Sequence, residues 1–246
     1  MPGMASSERT QDNATLLAEA LGTTHKVIPI STMSEALLGA IGHDQATEDL
    51  TYENTQARMR TSILMNYGNL SHGFVVGTGD LSETAQGWCT YNGDHMSMFN
   101  PNSSVPKTLV RHLVNWFADK RTEGQATTIL KDILDTPVSP ELTGKGDLTQ
   151  TTEDILGPYE LHDFFLYYLK RRSSRPAKIG YLATKAFEGV YDEPTIDKWL
   201  DSFLKRFTGS QWKRDVMPNG PKIGTVSLSP RGDHRMAPNT SRGWSR

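Results

Sequence analysis

The sequence has a single cysteine, Cys89, in 246 residues. That excludes an internal disulfide framework and fits a reducing, cytoplasmic setting. No apolar run approaches the roughly 20 residues that a membrane-spanning helix needs, so no membrane association is expected. The start, Met1-Pro2-Gly3-Met4, lacks the basic residues and apolar centre of a signal peptide. Charge of one sign is not in excess: 26 Lys and Arg stand against 28 Asp and Glu, for a net charge of −2. This removes the electrostatic reason for a nucleic-acid partner. No internal repeat is visible. The glycine fingerprint G-x-G-x-x-G is also missing, because in the run Gly77-Thr78-Gly79-Asp80-Leu81-Ser82 a serine takes the third glycine position.

Helical patterns dominate what is there. The spacing predicts helices over Thr10 to Leu21, over Thr51 to Tyr67 with an apolar stripe of Met59, Ile63 and Tyr67, and from Thr32, whose T-x-x-E pairing with Glu35 reads as a capping box. Asp80 with Glu83 three residues on predicts another capped helix. Pro106 opens one that carries Leu109, Val110, Leu113, Val114 and Phe117. Further helices are read at Tyr159 to Arg171, Pro176 to Phe187 and Thr195 to Phe207, before an irregular tail from about residue 211. Strand patterns are scarce: His25 to Ile30 and Phe74 to Val76, with Thr225 to Leu228 as a further candidate. Strand and helix alternate at a spacing that argues for α/β with a parallel sheet. Two strands are too few for such a sheet, so others are either concealed in the tail or precede Met1.

Four stretches could carry chemistry, each with a plainer reading beside it. In the turn Val76 to Glu83, Thr78 offers a hydroxyl and Glu83 a carboxylate that suits Mg²⁺, or Glu83 is only the third residue of a cap. Asn54 and Arg58, four apart, share one helix face and suit a planar polar ligand or phosphate, or they face solvent. Trp88-Cys89-Thr90-Tyr91-Asn92-Gly93-Asp94 combines stacking rings with an acid, or is core packing followed by a turn. Cys89 reads as a small buried residue, not a nucleophile. Gln211-Trp212-Lys213-Arg214 and the proline-bounded turn after it could close over an anion, or be a solvated basic turn. Lys107 begins a helix, where charge alone does not favour a cation, so a phosphate facing it would explain the position. The aromatic row Tyr159, Phe164, Phe165, Tyr167 and Tyr168 reads as core or as a subunit interface.

Taken together these stretches closely resemble the synthetase domain of glutamine-dependent NAD⁺ synthetases. The resemblance runs from Met1-Pro2-Gly3 through YENTQARMR, VGTGDLSE, GWCTYNGDHMSM, VPKTLV, DTPVSPEL and GPYELHDFFL to PNGPKIGTVSLSPRGD, and so spans nearly the whole chain. It implies a Rossmann-like parallel sheet of the ATP-pyrophosphatase (adenine nucleotide alpha hydrolase-like) type, filled by residues 1–246 as a partial synthetase domain. The reaction it implies is ATP-dependent amidation of deamido-NAD⁺ to NAD⁺ through an adenylate, with Mg²⁺ and with ammonia from glutamine. By position, Thr78, Lys107 and Ser139 are expected to contact ATP, and Glu83 to bind Mg²⁺ beside the reacting carboxylate. Asn54, Arg58, Glu83, Trp88, Tyr91, Asn92, Asp94 and Lys213 are expected to line the deamido-NAD⁺ site. The family places that site at a homodimer interface. The chain departs from the family in lacking its Ser-Gly-Gly-x-Asp-Ser pyrophosphate loop, the first strand ahead of that loop and the glutaminase domain, and in having His234 where the family usually has Trp. The alternative is a degenerate, non-catalytic fragment that keeps the dinucleotide or dimerisation surface.

Overall fold

The structure, a computed structural model, describes residues 8–136 and 152–240. Its helices in chain order are α1 (Glu8–Ala20), α2 (Ser31–Ala40), α3 (Leu50–Leu70), α4 (Leu81–Gln86), α5 (Lys107–Arg121) and α6 (Gln125–Asp135). They continue with α7 (Thr152–Leu156), α8 (Tyr159–Lys170), α9 (Pro176–Ala186), α10 (Glu193–Gly209) and α11 (Gln211–Arg214). Two compact units divide the chain. One takes Met1–Gly73, Asn92–Asp94 and Val110–Thr152, and the other takes Phe74–Tyr91, His95–Leu109 and Glu153–Arg246.

In the first unit α1 packs on α6 and α2 on α3. Arg9 pairs with Asp132, which also accepts from Asn13 Nδ2 at 2.6 Å. Helix α3 begins at Asp49, whose carboxylate accepts from the N–H groups of Thr51 and Tyr52 at 2.8 and 3.0 Å, satisfying two of the donors that a helix start leaves open. Two expectations fail in this unit. Helix α2 starts at Ser31 behind Ile30 and has no side-chain cap, so the Thr32–Glu35 capping box does not form. The buried residues of α3 include Tyr52, Thr55, Gln56, Ala57 and Thr61; of the expected stripe Met59 and Ile63 are half-buried, and Tyr67 is 39% exposed. A polar residue can be buried where it is hydrogen-bonded. Thr61 shows how, since its hydroxyl donates to Gly93 O at 2.6 Å and to Ala57 O at 3.2 Å.

In the second unit α4, α8, α9 and α10 pack around one core. Helix α10 starts at Asp192, which accepts from Thr195 N–H at 2.9 Å, with Pro194 in the first turn where its missing N–H costs nothing. Its Ile196, Leu200, Phe203, Leu204 and Phe207 recur at helical spacing and are all buried, each stabilising by about 1.5–3 kcal/mol. They meet Leu161, Phe165 and Leu166 of α8, and Ile179 and Ala183 of α9. The aromatic row of α8 therefore belongs to the core. The tail has little regular structure after α11, yet Met217, Val226 and Leu228 enter the same core.

The expected sheet is not formed among the described residues. None of the runs His25 to Ile30, Phe74 to Val76 and Thr225 to Leu228 is a strand. Two isolated parallel bridges remain, Val76 with Phe99 and Phe99 with Asn219. A β-branched run becomes a strand only when neighbouring strands supply ladder partners, and beyond those bridges none is present among the described residues. The described fold is α-rich.

Candidate active site

The second unit gathers charge where α4 and α5 begin. Helix α4 opens with the expected capping box: Asp80 Oδ1 accepts from Glu83 N–H at 2.9 Å, and Glu83 Oε2 accepts from Asp80 N–H at 3.1 Å. The other oxygen of each carboxylate turns to Lys107. The Lys107 ammonium lies 2.8 Å from Asp80 Oδ2 and 2.8 Å from Glu83 Oε1. Side-chain exposure is 3% for Asp80, 25% for Glu83 and 17% for Lys107, so water does little to screen them. The Tyr159 ring lies under the ammonium, 5.5 Å away.

One cation shared by two carboxylates leaves the cluster one negative charge in excess. Burial, and then the Asp80 carboxylate, push the Glu83 carboxyl above its usual range despite Lys107. Burial alone would pull Lys107 down, but the two carboxylates outweigh it and hold the ammonium above its ordinary value. The two carboxylates thus keep the lysine charged, while burial and Asp80 leave Glu83 able to take a further positive group. The Tyr159 hydroxyl is buried with no hydrogen-bond partner among the described residues, and burial followed by the nearby carboxylates raises its pKa.

The loop before α4 is anchored from residues 99–100. Gly77 N–H donates to Phe99 O at 2.7 Å, and Asn100 Nδ2 donates to Gly79 O at 2.8 Å. A Cβ on Gly77 would overlap Ser97, so this close approach requires glycine. Thr78 sits exposed in this loop.

A second group forms at the other end of α4. Gly87 ends the helix with φ +61, the left-handed conformation usual at that position. Lys213 Nζ donates to Gly87 O at 2.9 Å and to Cys89 O at 2.6 Å. The Arg206 guanidinium lies 5.4 Å from the Trp88 ring, and the Tyr91 ring lies 5.0 Å from Trp212. Cys89 is half-buried rather than buried as expected. Arg214, 1% exposed, donates to Ala85 O at 2.9 Å, to Thr84 O at 3.3 Å and to Phe207 O. Burial pushes its pKa down to about 10.

The structure therefore joins Glu83 with Lys107, places Thr78 on the loop leading to them, and collects Trp88, Tyr91 and Lys213 around the turn after α4. Asn54 (half-buried), Arg58 (exposed), Asn92 and Asp94 (both exposed) lie in the first unit. Asn92 adopts a left-handed φ of 54°. Ser139 lies outside the described residues. Sequence reasoning took Asp80 only as a cap and missed its bond to Lys107. It gave no role to Ser82 or Asp163, whose partners are 81 and 55 residues away, and it offered Arg214 to an anion, whereas Arg214 binds carbonyls up to 130 residues away. For Mg²⁺, no group of three or more His, Cys, Asp or Glu side chains stands ready among the described residues. The donor chemistry still fits a single-carboxylate site: Mg²⁺ commonly takes one or two carboxylates and completes its shell with water and phosphate. Lys107 must leave Glu83 Oε1 for that oxygen to serve. No described helix is long and apolar enough to cross a membrane.

Comparison with known proteins gives the family. A family model described as NAD synthase matches residues 1–192. A glutamine-dependent NAD(+) synthetase of Mycobacterium bovis is 41% identical over 96% of this chain and 38% of its own length. A crystal structure of a glutamine-dependent NAD(+) synthetase from Cytophaga hutchinsonii superposes with a TM-score of 0.77 at 21% identity, covering 98% of this chain and 38% of that one. A glutamine-dependent NAD+ synthetase from Acinetobacter baumannii, solved in complex with adenosine diphosphate, does so at 0.51 and 22% identity over 93% of this chain and 38% of that one. The chain thus spans well under half the length of the curated relatives it matches.

Proposed function

Because the chain belongs to the NAD synthase family, we propose that it carries the ATP-dependent amidation of deamido-NAD⁺ to NAD⁺, a carbon–nitrogen ligation that closes NAD⁺ biosynthesis in the cytoplasm. The nicotinate carboxylate attacks ATP, pyrophosphate leaves, and ammonia displaces AMP from the adenylate. Glutamine is the source of that ammonia, supplied by a glutaminase domain outside these 246 residues. Adenylation turns a poor acyl donor into one with a good leaving group.

The observation that carries this reading is Lys107, a charged ammonium between Asp80 and Glu83 at the starts of two helices. Its two bonds there are exchangeable for phosphate oxygens, with Thr78 on the adjoining loop and Ser139 as further ATP contacts. As Lys107 turns to phosphate, Glu83 Oε1 becomes free to hold Mg²⁺ beside the reacting carboxylate. The metal, when bound, neutralises charge on the departing pyrophosphate. The complex of a relative with ADP supports nucleotide binding in this fold. Trp88, Tyr91 and Lys213 are the ring and cation contacts for deamido-NAD⁺, together with Asn54, Arg58, Asn92, Asp94 and Glu83. Calorimetry with ATP tests the reading: binding should be measurable and should weaken by about tenfold or more in Lys107→Ala, since charge-assisted contacts contribute about 1.5–3 kcal/mol. Unchanged binding in that variant would remove the assignment. Assembly as a homodimer or larger oligomer belongs to the same reading. Leu109, Leu113, Trp116 and Phe117 recur along α5 and are 37–46% exposed, although their spacing reads as a core-facing stripe. A second copy is the occupant that the family relation favours for this row.

A further inference from the structure

Lys107 is held at both ends, and only its ammonium is held by the charged cluster. The backbone end has a different anchor. Lys107 N–H donates to Ser82 Oγ at 2.8 Å, and that hydroxyl donates to Asp163 Oδ1. Asp163 Oδ2 accepts from Thr108 N–H at 3.2 Å and from Thr108 Oγ1 at 2.7 Å. The first N–H groups of a helix need acceptors, normally from the residue just ahead. Pro106 stands there and has no side-chain acceptor. Ser82 of α4 and Asp163 of α8 do that work instead.

Asp163 has no ion pair among the described residues, and burial pushes its carboxyl up against the hydrogen bonds that favour the charged form. A buried acid without a cation is costly, and here all three groups that donate to it belong to Ser82 or to Thr108 of α5. The geometry points to Asp163 and Ser82 as positioning residues: they fix the start of α5, and so set where the Lys107 ammonium reaches, without touching nucleotide. This inference rests on the reading of Lys107 as an ATP contact. It adds that ATP affinity depends on two residues which themselves contact only protein.

The test uses Asp163→Asn and Ser82→Ala, each alone and combined with Lys107→Ala, with circular dichroism as the check on folding. One readout needs no nucleotide. Brief acylation with acetic anhydride, mapped by mass spectrometry, compares Lys107 with the exposed Lys178 in the same sample. Lys107 should react more slowly than Lys178 in the parent chain, and several-fold faster in either variant. The second readout is ATP affinity, which should fall about tenfold in each single variant. In the Lys107→Ala background neither substitution should lower it further, because residues acting through one group do not add. An equal loss in both backgrounds, or Lys107 labelling unchanged in both variants, would overturn the inference. Should ATP binding be absent from the parent chain or indifferent to Lys107, the proposed function falls, and the labelling result still decides whether Asp163 and Ser82 position the lysine. If Asp163→Asn does not fold, Ser82→Ala carries both readouts.

Discussion

A cation at the first position of a helix opposes the helix's own field, and Lys107 stands there because two carboxylates outweigh that field. Removing the cation leaves Asp80 and Glu83 facing one another. Lys107→Met should therefore cost about 2–4 kcal/mol in urea unfolding near neutral pH, and part of that should return under acid as Glu83 protonates. His162 provides a second prediction. It is 1% exposed, donates from Nε2 to Leu156 O at 2.7 Å, and is pushed down to about pKa 4, chiefly by burial. The unfolded chain takes up that proton near pH 6.5 and the folded chain only near 4. Stability from this group is thus complete above about 6.5 and is lost as pH falls toward 4, by roughly 2–4 kcal/mol in all. Urea midpoints measured across that window should fall less in His162→Gln. At this scale the sequence showed Glu83 and Lys107 as candidates through the family motif. It did not show that they touch, because an ion pair across 24 residues has no local spacing.

Helix α4 has six residues, too few to be stable alone, and it is held at both ends by groups far along the chain. Its start is tied to Lys107, while its last carbonyls and that of Phe207 on α10 accept from Arg214. A guanidinium has directed donors for several carbonyls at once, and a lysine ammonium does not reproduce them. Arg214→Lys should destabilise by about 2–4 kcal/mol, read as a shift of denaturation midpoint. Because α4 carries Glu83 and is capped by Asp80, ATP affinity should fall with it. Most helices were legible because a 3.6-residue repeat meets a local signal: Asp80 with Glu83 opens α4, and Pro176 opens α9. Along α3 the apolar spacing held for Met59 and Ile63, which are half-buried, and failed at Tyr67, which is exposed. The strands failed for a related reason, since a strand is a property of its neighbours and the sequence shows only one edge at a time.

At the scale of the molecule, the exposed row on α5 is an unmet demand among the described residues. Apolar side chains spaced along one helix face are ordinarily covered. Phe117→Lys together with Leu113→Glu should shift light-scattering mass from a dimer toward a monomer, with little change in the far-ultraviolet spectrum. A parent chain that is monomeric at micromolar concentration would count against assembly through this face. The family was readable from long collinear motifs, and the share of the relatives' length covered, 38%, agrees with a sequence that holds synthetase motifs and no glutaminase ones.

The two carbonyls that Lys213 grasps, on Gly87 and Cys89, were laid down 126 and 124 residues earlier in the chain. During synthesis, then, the turn bearing Trp88 emerges long before its clasp, and stays loose until Lys213 follows it. A nonsense codon ahead of Gln211 would do more than shorten the product. It would release a chain in which the rings around that turn had never been brought to rest.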